Sequence, residues 1–403
     1  MERSEATGAG GATSEPGART QGSGRGSARP LVARLGLDGP RAALTFAGQG
    51  TDALGELRAV LATCPSARPL VAAASAALAE LVTGTPFRWS GLVDHGLDPL
   101  VWTERPDAAP PATYLASTLV SQPLIFVAQI ARYRALWEQG LGAALRRGGV
   151  SAVTGHSQGV MAALLVAESP GGVIQTGRFV ELARYFAWQG LHMAQSAEGV
   201  LAAADARVDG EAATPMAAVA GVTLGRLEAL CAAVGRGLRA EEQLHVTLHN
   251  TRTRFVLSGP PARLVALHAA LDATVEADAA ARKAGRLGGR PLAYTWEWLP
   301  VGGPFHSPLM AAGRAAMAAT LATEGLRFDT ASLRLPVLDP ADGGRLDLAT
   351  DLTGALLDSQ FVRPVRWAET VRRLATRDDV HVLLDCGPGD GVARLSAAAA
   401  RGT

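Results

Sequence analysis

An α/β fold interrupted by a smaller α+β unit is what this sequence predicts, on three observations. Apolar strands alternate with helical spacings of Leu, Val and Ala over residues 42–194, and the alternation resumes after 293. Between them lies a β-β-α-β-β-α run, with strands at 198–206, 214–221, 244–249 and 253–258 and helices at 223–235 and 261–273, a ferredoxin-like pattern. Finally, Gly155-His156-Ser157-Gln158-Gly159 joins an apolar strand to an alanine-rich helix through a sharp glycine turn. The expected boundaries are 1–39 for a disordered leader, 40–196 and 293–403 for the α/β domain, and 197–292 for the insert.

Each element has a local reason. The first forty residues are rich in Gly, Ala, Ser and Arg without an apolar core, and Glu2, Glu5 and Glu15 argue against a signal or transit peptide. Ala42–Phe46 is a short apolar strand entering the turn Ala47-Gly48-Gln49-Gly50. Residues 53–63 and 67–83 have helical spacing, whereas 84–115 are rich in Pro, Trp and Asp and read as irregular. A long helix is expected over 120–138 and another over 173–194. Glu276 to Arg290 reads as a polar loop. The remaining elements are a strand at 293–300, helices at 309–323, 350–357 and 367–375, and a strand at 380–385.

Composition excludes several classes. The chain has 403 residues, 48% hydrophobic and 19% charged, with a net charge of +1, so nothing marks nucleic acid or an anionic membrane as partner. Lys283 is the only lysine. Cys64, Cys231 and Cys386 form no ligand set or C-x-x-C pair, which predicts reduced, structural cysteines, no metal site and a cytoplasmic protein. The apolar stretches at 118–131 and 159–167 are too short or too broken to span a bilayer.

The chemistry centres on Ser157. A serine in a strand–turn–helix elbow projects its hydroxyl beside the unpaired N–H groups of the next helix, and it needs a base to become a nucleophile. His156 adjoins it, but neighbours at an elbow point apart, so a structural role is expected there. His306, in Pro304-Phe305-His306-Ser307-Pro308, lies after an apolar strand and before a helix, where α/β folds place their sites. The N–H of Gln158 is the first candidate oxyanion donor, and that of Gln49 the second. Gly48-Gln49-Gly50 lacks the lysine and the spacing of a phosphate loop. For the group that orients the histidine, Asp385, Asp390 and a carbonyl of Gln360 remain open at this level.

Taken together, Phe46-Ala47-Gly48-Gln49-Gly50, Ser121-Gln122-Pro123, the serine elbow, His249-Asn250, Pro304-Phe305-His306-Ser307 and Asp385-Cys386-Gly387-Pro388-Gly389 resemble, in order, the acyl-CoA:acyl-carrier-protein transacylase family. The resemblance covers roughly residues 40–398 and is closest to the acetyltransferase domain of type I fatty acid synthases. It implies an α/β-hydrolase-like domain with a ferredoxin-like insert, and a Ser157–His306 dyad whose imidazole is held by the backbone carbonyl of Gln360. It further implies an oxyanion hole from Gln49 and Gln158, with Gln189, Asn250 and Phe305 around the acyl group. No bound cofactor or metal is implied. The substrates would be acetyl-CoA or malonyl-CoA, and the partner an acyl carrier protein with a phosphopantetheine arm. Malonyl-specific members carry an arginine where this chain has Gln189, which favours a neutral acyl group, acetyl foremost. Malonyl transfer, and from another class a serine thioesterase, are the alternatives.

Overall fold

The computed structural model describes residues 31–50, 52–201, 207–208 and 211–401. A three-stranded parallel sheet lies at its centre. β1 (Ala42–Phe46) is wholly buried and runs between β2 (Val150–Gly155) and β7 (Val382–Asp385), so Thr45 stands opposite both Thr154 and Asp385. Strands covered on both faces need continuous apolar sequence, which AALTF and VSAVTG supply. Residues 336–338 extend the sheet beyond β2 through a parallel bridge from Val337 to Val153. The strands end on one side of the molecule, and the turns at Gln49, Ser157 and Gly387 leave from those ends.

Of helices α1 (Ala53–Thr63), α2 (Arg68–Leu81), α3 (Thr118–Leu136), α4 (Gly159–Glu168) and α5 (Thr176–Leu201), α4 packs on β1 and β2, and α1, α2 and α5 gather around α3 beside it. α3 is buried around almost its whole circumference, which accounts for its uniformly apolar sequence. The buried polar residues Thr118, Ser121, Gln122 and Gln129 are exceptions, and Ser121 and both glutamines have hydrogen-bond partners.

The smaller unit carries β3 (Met216–Ala220), α6 (Leu224–Val234), β4 (His245–Thr251), β5 (Arg254–Ser258), α7 (Pro261–Lys283) and β6 (Thr295–Trp298). Its four strands form an antiparallel sheet in the order β4-β5-β3-β6. Val219, Phe255, Leu257, Leu264, Leu267 and Leu271 make a core of its own. Then follow α8 (Ala311–Glu324), α9 (Leu352–Phe361), α10 (Trp367–Ala375), the strand β7 and α11 (Gly391–Ala400).

Four expectations are revised. The strand expected at 198–206 begins inside α5, which runs to Leu201, and residues 202–206 lie outside the described residues. Glu198, Gly199, Val200 and Leu201 continue the helix, whose earlier turns pack against α3. The strand at 293–300 belongs to the small sheet, with Trp296 opposite Val219, so that unit closes at 298 and not at 292. α7 extends to Lys283 into the expected loop, where alanines and the Arg282–Asp278 pair at 2.6 Å favour helix. Order begins before residue 40: Leu31–Arg34 is helical and Leu35 is 1% exposed, while residues 1–30 of the expected leader lie outside the described residues. Among the described residues no helix is long and apolar enough to cross a membrane, and no His, Cys, Asp and Glu side chains cluster as a metal site.

Candidate active site

The turn between β2 and α4 places Ser157 in the left-handed region, with φ 53°. A non-glycine residue holds that conformation only where its surroundings impose it. Here the packing of strand against helix does so. A Cβ on Gly155 would lie 1.9 Å from the carbonyl carbon of Gly159, and one on Gly159 would lie 2.3 Å from the Phe46 oxygen.

His306 also has a positive φ, 58°. Its loop is tethered to the small sheet, because Ser258 Oγ at the end of β5 donates to the Phe305 carbonyl at 3.0 Å. The ring meets the serine, with Ser157 Oγ 2.7 Å from His306 Nε2. On the other side, Nδ1 lies 3.1 Å from the backbone oxygen of Arg363. A carbonyl only accepts, so Nδ1 carries the proton and Nε2 is free to accept from the serine hydroxyl. Burial, with the neighbouring His156 acting in the same direction, lowers His306 to about 4, against weaker support for the cation from the Arg363 and Ser359 backbone. The imidazole is therefore neutral and able to act as a base near pH 7.

Gln360 has a different place from the one expected. Its backbone lies within α9, whereas Arg363 follows the helix end in a segment pinned to β4, so the carbonyl presented to His306 is that of Arg363. The Gln360 side chain instead donates Nε2 to the Ser157 carbonyl at 3.2 Å and supports the elbow. Asp385 accepts from the N–H groups of Gly387 and Ala393, and Asp390 pairs with Arg394. Neither carboxylate reaches His306.

The loop carrying Gln49 closes over the elbow, and a Cβ on Gly48 would lie 3.2 Å from Ser157 Cβ. The Gln49 side chain is anchored to Ser121 Oγ at 2.8 Å, and that of Gln158 to the Gln122 carbonyl at 3.3 Å. Among the described residues, the backbone N–H groups of Gln49 and Gln158 have no acceptor. Gln189 is 1% exposed and donates Nε2 to Gln122 Oε1 at 3.0 Å and to Gln360 Oε1 at 3.5 Å. Arg178 is bound to Glu168 and Glu181, and with Arg184 it lines a cavity between α5 and α8, so neither brings a cation to Gln189.

Two residues expected around the acyl group have partners within the protein. Asn250 is engaged by His156, Oδ1 to Nε2 at 2.8 Å, and His156 meets the edge of Trp367. Phe305 is packed into the main core. A cavity of about 490 Å³ opens beside Gln49 and Ser121, with Leu54, Leu115, Leu124 and Ile125 among its walls. The sequence reading missed Arg363 as the histidine's partner and missed Asp339, whose carboxylate accepts from the Arg363 guanidinium at 2.6 Å. The signal for Asp339 was the turn pattern Asp339-Pro340-Ala341-Asp342-Gly343 directly after an apolar run.

Residues 44–283 match the family described as starter unit:ACP transacylase in aflatoxin biosynthesis. The fatty acid synthase subunit beta of Saccharomyces cerevisiae is 27% identical over 85% of this chain and 17% of its own length. The fatty acid synthase beta subunit aflB of Emericella nidulans is 29% identical over 78% of the chain and 15% of its own length. The chain thus spans about a sixth of the length of these curated relatives. The solved malonyl CoA-acyl carrier protein transacylase of Coxiella burnetii superposes with a TM-score of 0.60 at 22% identity, covering 90% of this chain and 92% of the other, which shows a shared α/β fold.

Proposed function

The chain belongs to the starter unit:acyl-carrier-protein transacylase family, and from that membership we propose that it moves a neutral short acyl group, acetyl foremost, from CoA to the phosphopantetheine thiol of a carrier protein in fatty acid or polyketide synthesis. The observation that carries the reading is the 2.7 Å contact of Ser157 Oγ with a His306 Nε2 freed by the Arg363 carbonyl. Ser157 gives its proton to His306 as Oγ attacks the thioester carbon. The N–H groups of Gln49 and Gln158 receive the developing oxyanion. The tetrahedral species then collapses: the C–S bond breaks and CoA leaves as the thiol with the proton from His306, which leaves an ester on Ser157. In the second half, the carrier thiol gives its proton to His306 and attacks the ester, and Ser157 departs with that proton. No cofactor enters the cycle.

Two features support the cargo and the access route. Gln158 Oε1 and Gln189 Oε1 are buried acceptors without a donor among the described residues, and such oxygens repel a carboxylate instead of pairing with it. The apolar cavity beside Gln49 suits the acyl-pantetheine arm. We read the 216–298 unit as a ferredoxin-like insert whose β4 and β5 steady the loops of Arg363 and His306.

The test is intact-mass measurement after mixing with acetyl-CoA and with malonyl-CoA. Wild-type protein gains one acetyl group, and Ser157→Ala stays at its own mass. Equal labelling of the variant would overturn the mechanism.

A further inference from the structure

An acid stands where the sheet delivers one to the elbow, yet it does not touch the histidine. Residues 336–338 run along the outer edge of β2, with Val153 N–H donating to Pro336 at 2.9 Å and Leu338 N–H donating to Val153 at 3.0 Å. Thr154 Oγ1 adds a bond to the Leu338 carbonyl at 2.8 Å. Asp339 therefore leaves this edge level with the end of β2, beside the turn that carries Ser157.

Asp339 is 3% exposed, and its carboxylate is fully occupied. Oδ1 accepts from Ala341 N–H and Ser359 Oγ, each at 2.9 Å, and Oδ2 accepts from Arg363 Nη1 at 2.6 Å. The other arm of the same guanidinium, Nη2, donates to Asp342 Oδ2 at 2.7 Å. One guanidinium thus bridges two carboxylates, in the charge-assisted geometry that fixes position most firmly. The residue that carries it is the one whose carbonyl receives the His306 proton. Further bonds fix the same backbone. Arg363 N–H donates to Asp358, while Val365 is strapped to β4 by bonds to Thr247 and from His249, all at 2.8 Å.

We propose that Asp339, with Asp342, is a positioning residue of the acyl-transfer site: it fixes the Arg363 backbone through the guanidinium, and the Arg363 carbonyl fixes the tautomer and tilt of His306. The proposal rests on the acyl-transfer reading above. In an ordinary triad the carboxylate sits directly on Nδ1 and stabilises the imidazolium. Here the acid acts one residue further out. A neutral dipole faces the ring, and the charge needed to hold that dipole is neutralised beside the site.

The test uses the full chain with Asp339→Asn, Arg363→Met and the double variant. Two readouts apply: the rate of Ser157 acylation by acetyl-CoA, and 15N-histidine NMR, with the His306 signals assigned by their loss in His306→Gln. Wild type shows the Nδ1–H tautomer alone. Each single variant shows a tautomer mixture, its saturating acylation rate falls about tenfold, and half-saturating acetyl-CoA is unchanged. The double variant is no slower than the slower single one, because both act through one clamp. A single tautomer retained in both variants, or losses that multiply, would overturn the proposal. Should Asp339→Asn fail to fold, Asp342→Asn, which weakens the outer arm, and Arg363→Lys, which keeps the charge but loses the two-armed fork, carry the same decision on the tautomer. Failure of the wild-type protein to acylate Ser157 would refute the acyl-transfer reading instead, and the tautomer would still decide the clamp.

Discussion

Gln189 donates its side-chain amide to Gln122 Oε1 at 3.0 Å, and this pair joins α5 to α3 beneath the serine elbow. Both residues are almost wholly buried, and among the described residues neither is hydrogen-bonded to an arginine. Gln189→Arg would place a buried cation there with Gln122 Oε1 as its first acceptor. A malonyl carboxylate would complete the pairing, whereas an acetyl methyl would leave the charge uncompensated. The expected outcome is a shift in the malonyl-to-acetyl acylation ratio of about tenfold or more, equivalent to roughly 1.4 kcal/mol. Competition between the two CoA esters, read by intact mass, checks it, and an unchanged ratio would count against the assignment of Gln189.

The acid limb of the acylation rate should lie well below the usual histidine range. His306 must be unprotonated to accept from Ser157, and burial lowers it from 6.5 to about 4. The rate is then expected to be flat from pH 8 to about pH 5 and to fall by half near pH 4. Quenched-flow acylation after a rapid pH jump measures this before the fold responds. A midpoint near 6.5 would mean that the site admits far more water than the packing around His306 allows.

Stability has its own pH window, and its sign follows from the same burial. His156, His192, His245, His249 and His306 are all shifted downward, with desolvation the leading cause. Between the folded and unfolded values the unfolded chain binds more protons, so stability rises with pH there. It is complete above about 6.5 and is lost progressively as pH falls toward 4. For His306 alone the loss is on the order of 3 kcal/mol. The buried Asp339 and Asp385 carboxyls, pushed upward by burial, bind protons more tightly in the folded state and oppose this from the ordinary aspartate range upward, within the acid end of the histidine window. Urea denaturation at pH 7.5, 6 and 5 measures the slope, and His306→Gln should flatten part of it. A midpoint independent of pH over this range would contradict the prediction.

The elbow was legible because its demands are local. Gly155 and Gly159 sit where no side chain fits, and that requirement is written in five consecutive residues. His306 was legible from its place after an apolar run and before Pro308. The choice between the Gln360 and Arg363 carbonyls was not. It depends on where α9 ends and on the pinning of Val365 by Thr247 and His249, contacts from a distant part of the chain. Nor were residues 198–201 legible: they continue α5 as a last turn exposed at Glu198 and Gly199, although their short apolar run reads as the start of a strand. The partner of Asn250 was not legible either, because His156 turns to it from a distant part of the chain.

The tightness of the elbow yields a paired prediction in which one chemical change has opposite effects. In Gly155→Ala the new methyl would lie 1.9 Å from the Gly159 carbonyl carbon and 2.2 Å from both the Gly159 oxygen and the Val160 nitrogen. All three are backbone atoms at the start of α4, and none can swing aside as a side chain would. Relief requires β2 to part from α4, so a loss of about 3 kcal/mol is expected, the upper end for overpacking. Gly225, on α6 of the small unit, is the opposite case: a methyl added there would meet no neighbouring element within 4 Å. There the helix gains propensity and the unfolded chain loses freedom, so Gly225→Ala should stabilise by about 0.5 kcal/mol. Urea melts of the two variants decide the matter. If Gly155→Ala melts with the wild type, the strand-to-helix turn is looser than these distances state, and the left-handed Ser157 would need another cause.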